Sequence, residues 1–398
     1  MSHYQVVIVG GGTGGITVAA RLEKALKKPS IAIIEPSNKH YYQPLWTLVG
    51  GGVCPKEESE RNEASVIPKS CVWIRDYAES FDPENNKVAL ASGKELSYDY
   101  LVVAPGIQID WNKIPGLKES LGKDGVCSNY AYEQAEKTWQ FISNFKGGNA
   151  IFTAPSTPVK CGGAPQKIMY LADDAFRKQG IRDKTNVIAG FAGTVIFGVP
   201  EFAKGLSEVV KRKNIDLRLY HDLVELHPEK KEAVFKVKRP NEAESLETIP
   251  YEMIHVTPPQ SSPDFIKHSP LANAAGWVDV DKHTLQHVKY KNIFGLGDAS
   301  SLPTSRTGAA IRKQAPTLVQ NLLALMNGKS LDANYDGYTS CPLVTGYGKL
   351  ILAEFDYNNK PKPSFPIIDT TKERWDMYML KRHGLPYMYW NLMLKGLA

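Results

Sequence analysis

Two cysteines stand in settings that favour thiol chemistry. Cys161 lies in the turn Pro-Val-Lys-Cys-Gly-Gly-Ala-Pro at 158–165, and apolar residues at helical spacing follow it between 168 and 176. Cys161 is therefore predicted at or near a helix N-terminus, where the helix dipole and Lys160 would stabilise a thiolate and lower its pKa. Cys341 lies much later in the chain, in Tyr-Thr-Ser-Cys-Pro at 338–342. Their spacing alone does not decide whether the two sulfurs meet, and a lone cysteine is more often a small buried hydrophobe.

A glycine-rich turn near the N-terminus could hold a phosphate group. The predicted strand Gln5–Val9 runs into Gly-Gly-Gly-Thr-Gly-Gly at 10–15 and then into a helical pattern, Ile16–Lys27. In this strand–turn–helix context, Gly12 lets the backbone approach a pyrophosphate at the helix N-terminus. Glu35 ends the next apolar strand, where its carboxylate would accept hydrogen bonds from an adenosine ribose. The alternative is a glycine-rich turn that binds nothing.

Two later segments favour a bound flavin over that alternative. Tyr98–Gly106 and Ile293–Asp298 are each an apolar strand that ends in small residues. They resemble the second and third signatures of FAD-containing, disulfide-reductase-like flavoproteins, in which the aspartate of the last signature binds the ribityl chain. A helical pattern from about Thr307 to Met326 follows, and its N-terminus would favour a reduced, anionic flavin. The three signatures together predict FAD.

The middle of the chain carries no second glycine fingerprint for a nicotinamide. The predicted strand Asn149–Ala154 leads into the proline-containing stretch 155–165, where prolines remove backbone donors. Gly190 and Gly193, after the next strand, have the wrong spacing for a pyrophosphate. This pattern disfavours NADH or NADPH as the electron donor.

Short apolar strands alternate with helical patterns, which predicts an α/β fold with mostly parallel sheets. We expect two Rossmann-like, dinucleotide-binding-type domains and a C-terminal membrane-associating helical tail. The predicted boundaries are 1–115 with 285–350 for a discontinuous FAD-binding domain, 116–284 for the second domain, which carries Cys161, and 351–398 for the tail.

The C-terminal segment has the composition of an interface. It holds half of the eight methionines, together with several aromatic residues. Tyr387–Lys395 is apolar nearly all round, with basic residues at 381–383 beside it. A helix of this length is too short to span a bilayer and would lie among the lipid headgroups. The alternative is a helix docked on the protein's own core or in a dimer interface.

Overall composition narrows the possibilities. The 398 residues include 42% hydrophobic ones, as in ordinary globular proteins, and carry a net charge of +6. The charges are spread along the chain without a basic arm, so nucleic acid is not expected as a partner. The five cysteines form neither a secreted disulfide framework nor a zinc motif, which suggests a reducing compartment and no metal. The first strand begins too soon after Met1 to leave room for a signal peptide.

Three stretches carry a resemblance that covers nearly the whole chain. Tyr41–Thr47, Pro158–Lys167 and Tyr335–Pro342 look like those of the sulfide:quinone oxidoreductases, especially the group that includes the mitochondrial enzyme. The resemblance implies that Cys161 and Cys341 form a redox-active pair beside the flavin. Sulfide would attack the bridged pair, with the persulfide formed first on Cys341 and the flavin-directed thiolate on Cys161. The sulfur would pass to a small thiol or other acceptor, and the electrons to a membrane quinone.

The residues assigned to the cofactor site combine motif and resemblance. Arg306 and Lys313 follow the last flavin signature, where a cation would stabilise reduced flavin or a quinone oxygen, although a solvated helix face is equally compatible with the pattern. The family commonly has lysine where Arg306 stands. Tyr347, Phe355 and the tail aromatics are candidates for the quinone pocket. The complete cofactor set is Gly10, Gly12, Thr13, Gly14, Gly15, Glu35, Gln43, Ala78, Ala104, Gly106, Gly297, Asp298, Arg306 and Lys313.

Three other functions are compatible with parts of the pattern. A type II NADH:quinone dehydrogenase shares the fold but needs a nicotinamide site and no cysteine pair. The flavin subunit of a sulfide dehydrogenase would call for an export signal. A flavin-containing interaction protein would not depend on its cysteines. Cys54, Cys71 and Cys127 are predicted to be buried and inert, with a minor role in polysulfide handling left open for Cys127. We expect a peripheral protein of a bacterial or mitochondrial inner membrane, which could form a homo-oligomer.

Overall fold

A computed structural model describes residues 2–398 of the chain. The strands are β1 (Ser2–Val9), β2 (Ile31–Ile34), β3 (Lys39–Tyr41), β4 (Glu60–Asn62), β5 (Cys71–Ile74), β6 (Ala78–Asp82), β7 (Lys87–Leu90), β8 (Glu95–Val103), β9 (Gln108–Ile109), β10 (Val126–Cys127), β11 (Gly148–Ala154), β12 (Thr185–Phe191), β13 (Asp216–Leu219), β14 (His221–His227), β15 (Glu232–Val237), β16 (Ser245–Pro250), β17 (Met253–His255), β18 (Gln260–Ser261), β19 (Ile293–Gly295), β20 (Thr339–Gly346) and β21 (Lys349–Phe355). The α-helices are α1 (Thr13–Ala25), α2 (Trp46–Gly50), α3 (Leu117–Ser120), α4 (Tyr132–Asn144), α5 (Ala164–Lys178), α6 (Pro200–Lys213), α7 (Asp264–Lys267), α8 (Gly308–Met326), α9 (Trp375–Met379) and α10 (Leu385–Asn391).

The first sheet has a parallel centre built from the predicted apolar strands. Its order is β5-β2-β1-β8, and β19 adds to the far side of β8 in parallel. The hairpin β6–β7 pairs antiparallel with the first half of β8. Strands such as β2 are buried along their whole length because helices and loops cover both faces of the sheet. The predicted strand Ile293–Gly295 is confirmed with its bounds, and α1 begins at Thr13, inside the glycine run.

The second sheet repeats this architecture. Its order is β10-β17-β11-β12-β13, and all of its pairings are parallel. Helix α5 packs on it, and a three-stranded antiparallel sheet, β14-β15-β16, lies beside it. The predicted α/β class with two Rossmann-like units is confirmed.

The segment before the predicted boundary at residue 285 packs with the first sheet. Ile266, Leu271 and Val278 are buried in the same core as Val6 and Ile8 of β1. The boundary at residue 285 stays a prediction, because Ala135 and Leu171 of the predicted second domain belong to the same core. The boundary predicted at residue 350 falls inside the hydrogen-bonded hairpin β20–β21. The remaining boundaries stay predictions.

The tail has two different faces. Helix α9 continues through a π-helical turn, Leu380–Gly384, into α10. Met377, Tyr389, Met393 and Leu394 are buried in the first core, whereas Trp375, Tyr387 and Leu397 are exposed. The tail therefore docks on the protein's own core, as the alternative prediction had it, and still presents apolar side chains outward. Within residues 2–398, no helix combines the length and the apolar character needed to cross a bilayer.

Candidate functional site

The structure brings the two predicted cysteines together, with 3.9 Å between the Sγ atoms of Cys161 and Cys341. Cys161 lies in the turn before α5 with a left-handed backbone (φ +57°), and its N–H donates to the carbonyl of Arg306 at 2.7 Å. Cys341 lies in β20, and the hairpin packs tightly on the turn. A Cβ on Gly163 would stand 2.2 Å from Leu343 Cδ2, so a larger residue there would force the Leu343 side chain to move.

The surroundings of Cys161 favour the thiolate form of its side chain. The Nζ of Lys167 lies 3.2 Å from its Sγ. The hydrogen bond from Cys341, joined by the charge and hydrogen bond of Lys167 and the charge of Lys381, holds the pKa of Cys161 well below its usual value against the opposing effect of burial. Lys160, the cation predicted for this role, instead donates to Gln43 Oε1 at 2.6 Å.

The sequence carried one signal for Lys167. It stands in the first turn of α5, where the helix dipole disfavours a cation. Helical side chains lean towards the N-terminus, so the ammonium group reaches back to Cys161. A buried lysine at this end of a helix indicates a negative partner, and here that partner is the thiolate.

A second cation, Lys381, comes from the tail. Its side chain is almost fully buried, and its Nζ donates to the carbonyl of Pro44 at 3.0 Å. Burial, helped by the charge of Lys167, lowers the pKa of Lys381 to about 7. The sequence indicated only a basic flank for a lipid-facing helix, and no local pattern showed that this lysine turns inward.

Cys341 has the opposite electrostatic setting. It is completely buried, with Ser305 Oγ at 3.6 Å from its sulfur. The hydrogen bond that it shares with Cys161, together with burial and the negative charge of Cys161, holds the pKa of Cys341 well above its usual value. These opposite shifts favour the negative charge of the pair on Cys161 over Cys341.

The glycine turn has the shape of a dinucleotide cradle. Gly10 has φ +102°, and a Cβ there would stand 2.3 Å from the carbonyl oxygen of Ala104. A Cβ on Gly12 would meet nothing within 4 Å, and no side chain caps the N-terminus of α1 there. The backbone N–H groups of this first turn are therefore available to a phosphate.

Glu35 lies directly behind this turn. Its Oε2 accepts from the N–H of Gly11 at 2.8 Å, and its Oε1 accepts from Ser37 at 2.7 Å. Burial raises the pKa of Glu35, and these two backbone bonds oppose the shift. Each carboxylate oxygen retains a lone pair for a further donor, which is compatible with the predicted ribose contact.

Asp298 lies near the cysteines, after β19. Gly297 has a positive φ (+71°), and its N–H donates to Gln314 Oε1 at 2.9 Å. Burial raises the pKa of Asp298, while the charges of Arg306 and Lys160 oppose that shift and the charge of Cys161 adds to it. The Asp298 carboxyl therefore lies close enough to Cys161 for the charges of the two groups to interact.

The two predicted cations after Asp298 have different surroundings. Arg306 Nε donates to the carbonyl of Asp298 at 2.9 Å, and its guanidinium lies 4.0 Å from the centre of the Trp277 ring. Lys313 is exposed on α8, 5.9 Å from the Tyr338 ring centre, as expected for a solvated helix face. The role of each stays a prediction.

Other predicted residues are spread more widely. Gly106 has φ +82° and open space at its Cβ position, and Ala104 donates to the carbonyl of Val9 at 2.8 Å. Ala78 is buried at the start of β6. Tyr347 donates to the carbonyl of Gly51 at 2.6 Å, whereas Phe355 packs on Phe197 with ring centres 5.9 Å apart.

The remaining cysteines are not part of the pair. Cys54 and Cys127 are buried and Cys71 is partly so, and none of the three has a disulfide partner. The Cys127 thiol donates to the carbonyl of Ile254, and burial raises its pKa to about 12. These contacts agree with the inert interpretation, and none joins Cys127 to Cys161 or Cys341.

Comparison with known proteins identifies the family. Residues 4–142 match the pyridine nucleotide-disulphide oxidoreductase family. The mitochondrial sulfide:quinone oxidoreductase of Mus musculus is 49% identical over 99% of this chain and 87% of its own length. The Dictyostelium discoideum protein of the same name is 51% identical over 98% of this chain and 86% of its own length.

The chain belongs to the sulfide:quinone oxidoreductases. The solved sulfide:quinone oxidoreductase of Aquifex aeolicus has the same fold, with a TM-score of 0.82 at 21% identity, covering 100% of this chain and 93% of that one. This member of the family is an oxidoreductase, and membership implies a flavin cofactor. The glycine turn, the open space at Gly12 and the environment of Asp298 fit such a group. Near-full-length identity of about one half also decides against the three alternative functions.

Proposed function

We propose that this protein oxidises sulfide at the Cys161–Cys341 pair and delivers the electrons through FAD to a quinone. The observation that carries the proposal is the 3.9 Å distance between the sulfurs of Cys161 and the buried Cys341, with Lys167 Nζ 3.2 Å from Cys161 Sγ. The pair lies in the same electrostatic environment as Asp298 and close to Lys160, whose side chain bonds Gln43. Both Asp298 and Gln43 belong to the proposed flavin site.

The first step is attack on the bridged form of the pair. A sulfide anion attacks Cys341 Sγ, the S–S bond breaks, and its electron pair goes to Cys161, which leaves as a thiolate. The thiol of lower pKa is the better leaving group in such an exchange. Lys167 and Lys381 stabilise the charge that arrives on Cys161, which supports the persulfide on Cys341. The accessibility of the two sulfurs favours attack on Cys161 instead, since Cys341 is the more buried one.

The second step removes the sulfane sulfur. A small thiolate or other nucleophilic acceptor attacks the outer sulfur of the Cys341 persulfide and leaves with it, so that Cys341 becomes a thiolate. Re-forming the bond between Cys341 and Cys161 then releases two electrons. When bound, FAD would supply the acceptor for this electron pair and pass it on to a quinone, which takes up two protons.

The FAD site is proposed from the fit of the residues described above. The first turn of α1, with Gly10, Gly12 and Thr13, would hold the pyrophosphate, and Glu35 would accept from the adenosine ribose. Asp298 would accept from the ribityl chain, and Arg306 orients Asp298 through its backbone carbonyl. Lys160 and Gln43 lie on the cysteine side of this site and would contact the ring.

The exposed face of the tail is the proposed route to the quinone. Trp375 and Tyr387 are 67% and 64% exposed, and aromatic side chains of this kind favour the headgroup layer. We propose a peripheral association with the mitochondrial inner membrane or its bacterial counterpart. Homo-oligomerisation is a separate prediction and is to be measured independently.

An anaerobic stopped-flow experiment tests the function. Sulfide should bleach the flavin absorption of the purified protein, after a long-wavelength band from thiolate and flavin, and a soluble quinone should restore it. Cys161→Ser should lose both phases. An unchanged spectrum with sulfide, or rapid bleaching with NADH instead, would contradict the proposal.

A further inference from the structure

A buried chain of hydrogen bonds joins the tail to the glycine turn. The hydroxyl of Tyr389 lies 2.9 Å from Thr13 Oγ1 and 2.6 Å from His40 Nε2. On its other side, His40 Nδ1 lies 3.1 Å from the carbonyl oxygen of Gly11 and 3.2 Å from Glu63 Oε2. Tyr389, His40 and Glu63 are all nearly inaccessible to solvent.

The acceptors around His40 assign the direction of the bonds on one side of its ring. His40 Nδ1 faces two acceptor oxygens, so it carries a hydrogen and donates to them. On the other side of the ring, Nε2 shares a hydrogen bond with the Tyr389 hydroxyl, which also bonds to Thr13 Oγ1. Among the residues that the structure describes, Thr13 Oγ1 and His40 Nε2 both have the Tyr389 hydroxyl as their hydrogen-bond partner.

Packing holds the same segment in place. The Tyr389 ring lies 4.5 Å from that of Tyr42, centre to centre, and the guanidinium of Arg61 lies 4.8 Å from the Trp390 ring centre. Met393 and Leu394 are buried in the first core beside α1. The tail thus packs against the first turn of α1, although the two segments are far apart in the sequence.

We propose that Tyr389 is a positioning residue for the cofactor turn, so that docking of the C-terminal segment controls how tightly FAD is retained. The inference rests on the proposed FAD site. Thr13 is the first residue of α1, and Gly12 before it provides no side-chain cap. Tyr389 and His40 therefore fix Thr13 and the Gly11 carbonyl from behind, which leaves the outward N–H groups directed at the phosphate. The inner face of the tail holds the cofactor turn, while its outer face remains free for lipid.

The test compares two tyrosines of the same helix. Tyr389→Phe removes only the buried hydroxyl, and Tyr387→Phe changes an exposed residue two positions earlier. FAD release from each purified holoprotein is followed by the fluorescence of the freed flavin. Tyr389→Phe should raise the dissociation constant and the release rate about tenfold, the effect of leaving buried polar partners unsatisfied. Tyr387→Phe should match the unaltered protein.

A second pair of variants separates positioning from general stability. Thr13→Val cuts the chain from the cofactor side, and combining it with Tyr389→Phe should add little further loss if both act through one bond. His40→Gln serves if Tyr389→Phe fails to fold. Equal FAD release from Tyr389→Phe and Tyr387→Phe, or fully additive effects with Thr13→Val, would overturn the inference alone. An unaltered protein that binds no FAD would overturn the proposed function itself.

Discussion

Cys161 and Cys341 are the same residue type at 3.9 Å separation, yet their surroundings give them different chemistry. Cys161 is half-buried in a strained turn with Lys167 beside it. Cys341 is completely buried in a regular strand, and the Ser305 hydroxyl lies 3.6 Å from its sulfur. The difference shows that a redox pair acquires a direction from the placement of cations and burial around it.

The largest effect should come from removing either sulfur. Cys161→Ser and Cys341→Ser should each lower sulfide-dependent quinone reduction by roughly a thousandfold or more, as for loss of a nucleophile. Neither variant can form the bridged pair, so sulfide should leave a persulfide on neither of them, whereas in the unaltered, bridged protein it should leave one on Cys341. Alkylation followed by mass spectrometry measures this difference.

Cys127→Ser is the matched control for both variants, because Cys127 is buried in the second core and bonds only to a backbone carbonyl. Its activity should remain within a few-fold of the unaltered protein. A persulfide found on Cys161 in place of Cys341 would reverse the assigned direction, while loss of activity in Cys127→Ser would extend the pair to a third cysteine.

The next largest effect should come from Lys167. Lys167→Met removes the cation nearest the Cys161 sulfur, and an opposite charge at this distance lowers a pKa by roughly one to three units. The pKa of Cys161 should therefore rise and its thiolate fraction near neutral pH should fall. The pH dependence of iodoacetamide alkylation at Cys161 measures this shift. Lys167→Arg, which keeps the charge, should stay close to the unaltered protein, and an unchanged alkylation profile in Lys167→Met would be incompatible with the assigned role.

Sequence patterns predicted the local parts of this site well. The glycine turn, the strand before Asp298 and the helix capped at Thr307 follow from short-range rules, and the structure has them at or near the predicted positions. The motif around Cys161 also predicted the start of α5. These features depend on residues that are close neighbours in the chain, where spacing and turn chemistry are informative.

The long-range parts could not be predicted from spacing. The meeting of Cys161 with Cys341 came from family resemblance, and the inward turn of Lys381 came from neither. A basic residue in an apolar tail is compatible with a lipid headgroup and with a buried thiolate alike. Only the docking of the tail on the first domain decides between them, and that docking depends on packing between segments far apart in sequence.

A smaller, pH-dependent effect should come from Lys381. Its pKa is lowered to about 7, so the cation is present below that pH and is lost as the pH rises through it. The thiolate of Cys161 is thus less stabilised on the alkaline side. The ratio of kcat/KM for sulfide in the unaltered protein to that in Lys381→Met should be on the order of threefold to tenfold at acidic pH and should fall towards one above neutrality.

Taking this ratio cancels the ionisation of sulfide itself, which is common to both proteins. Arg382→Met is the matched control, because the adjacent Arg382 pairs with Glu58 at 2.8 Å and contacts neither sulfur. Its ratio should be independent of pH. A ratio for Lys381→Met that is equally flat would remove Lys381 from the electrostatic difference between the cysteines.

The smallest effect should come from Ser305, which lies beside Cys341. Ser305→Ala removes a weak hydrogen bond to that sulfur, so the pKa of Cys341 should rise further and Cys341 should become a poorer leaving group when its sulfur is passed on. We expect transfer to a small thiol to slow by about twofold to fivefold, the range for one modest hydrogen bond. The earlier cleavage by sulfide, in which Cys161 leaves, should keep its rate. Ser305 also accepts from the N–H of Gly162 at 3.4 Å, so Ser305→Thr, which keeps the hydroxyl, is the control. Equal slowing of both steps would mean that Ser305 acts on the pair as a whole, and single-turnover measurements with and without the acceptor thiol distinguish the two outcomes.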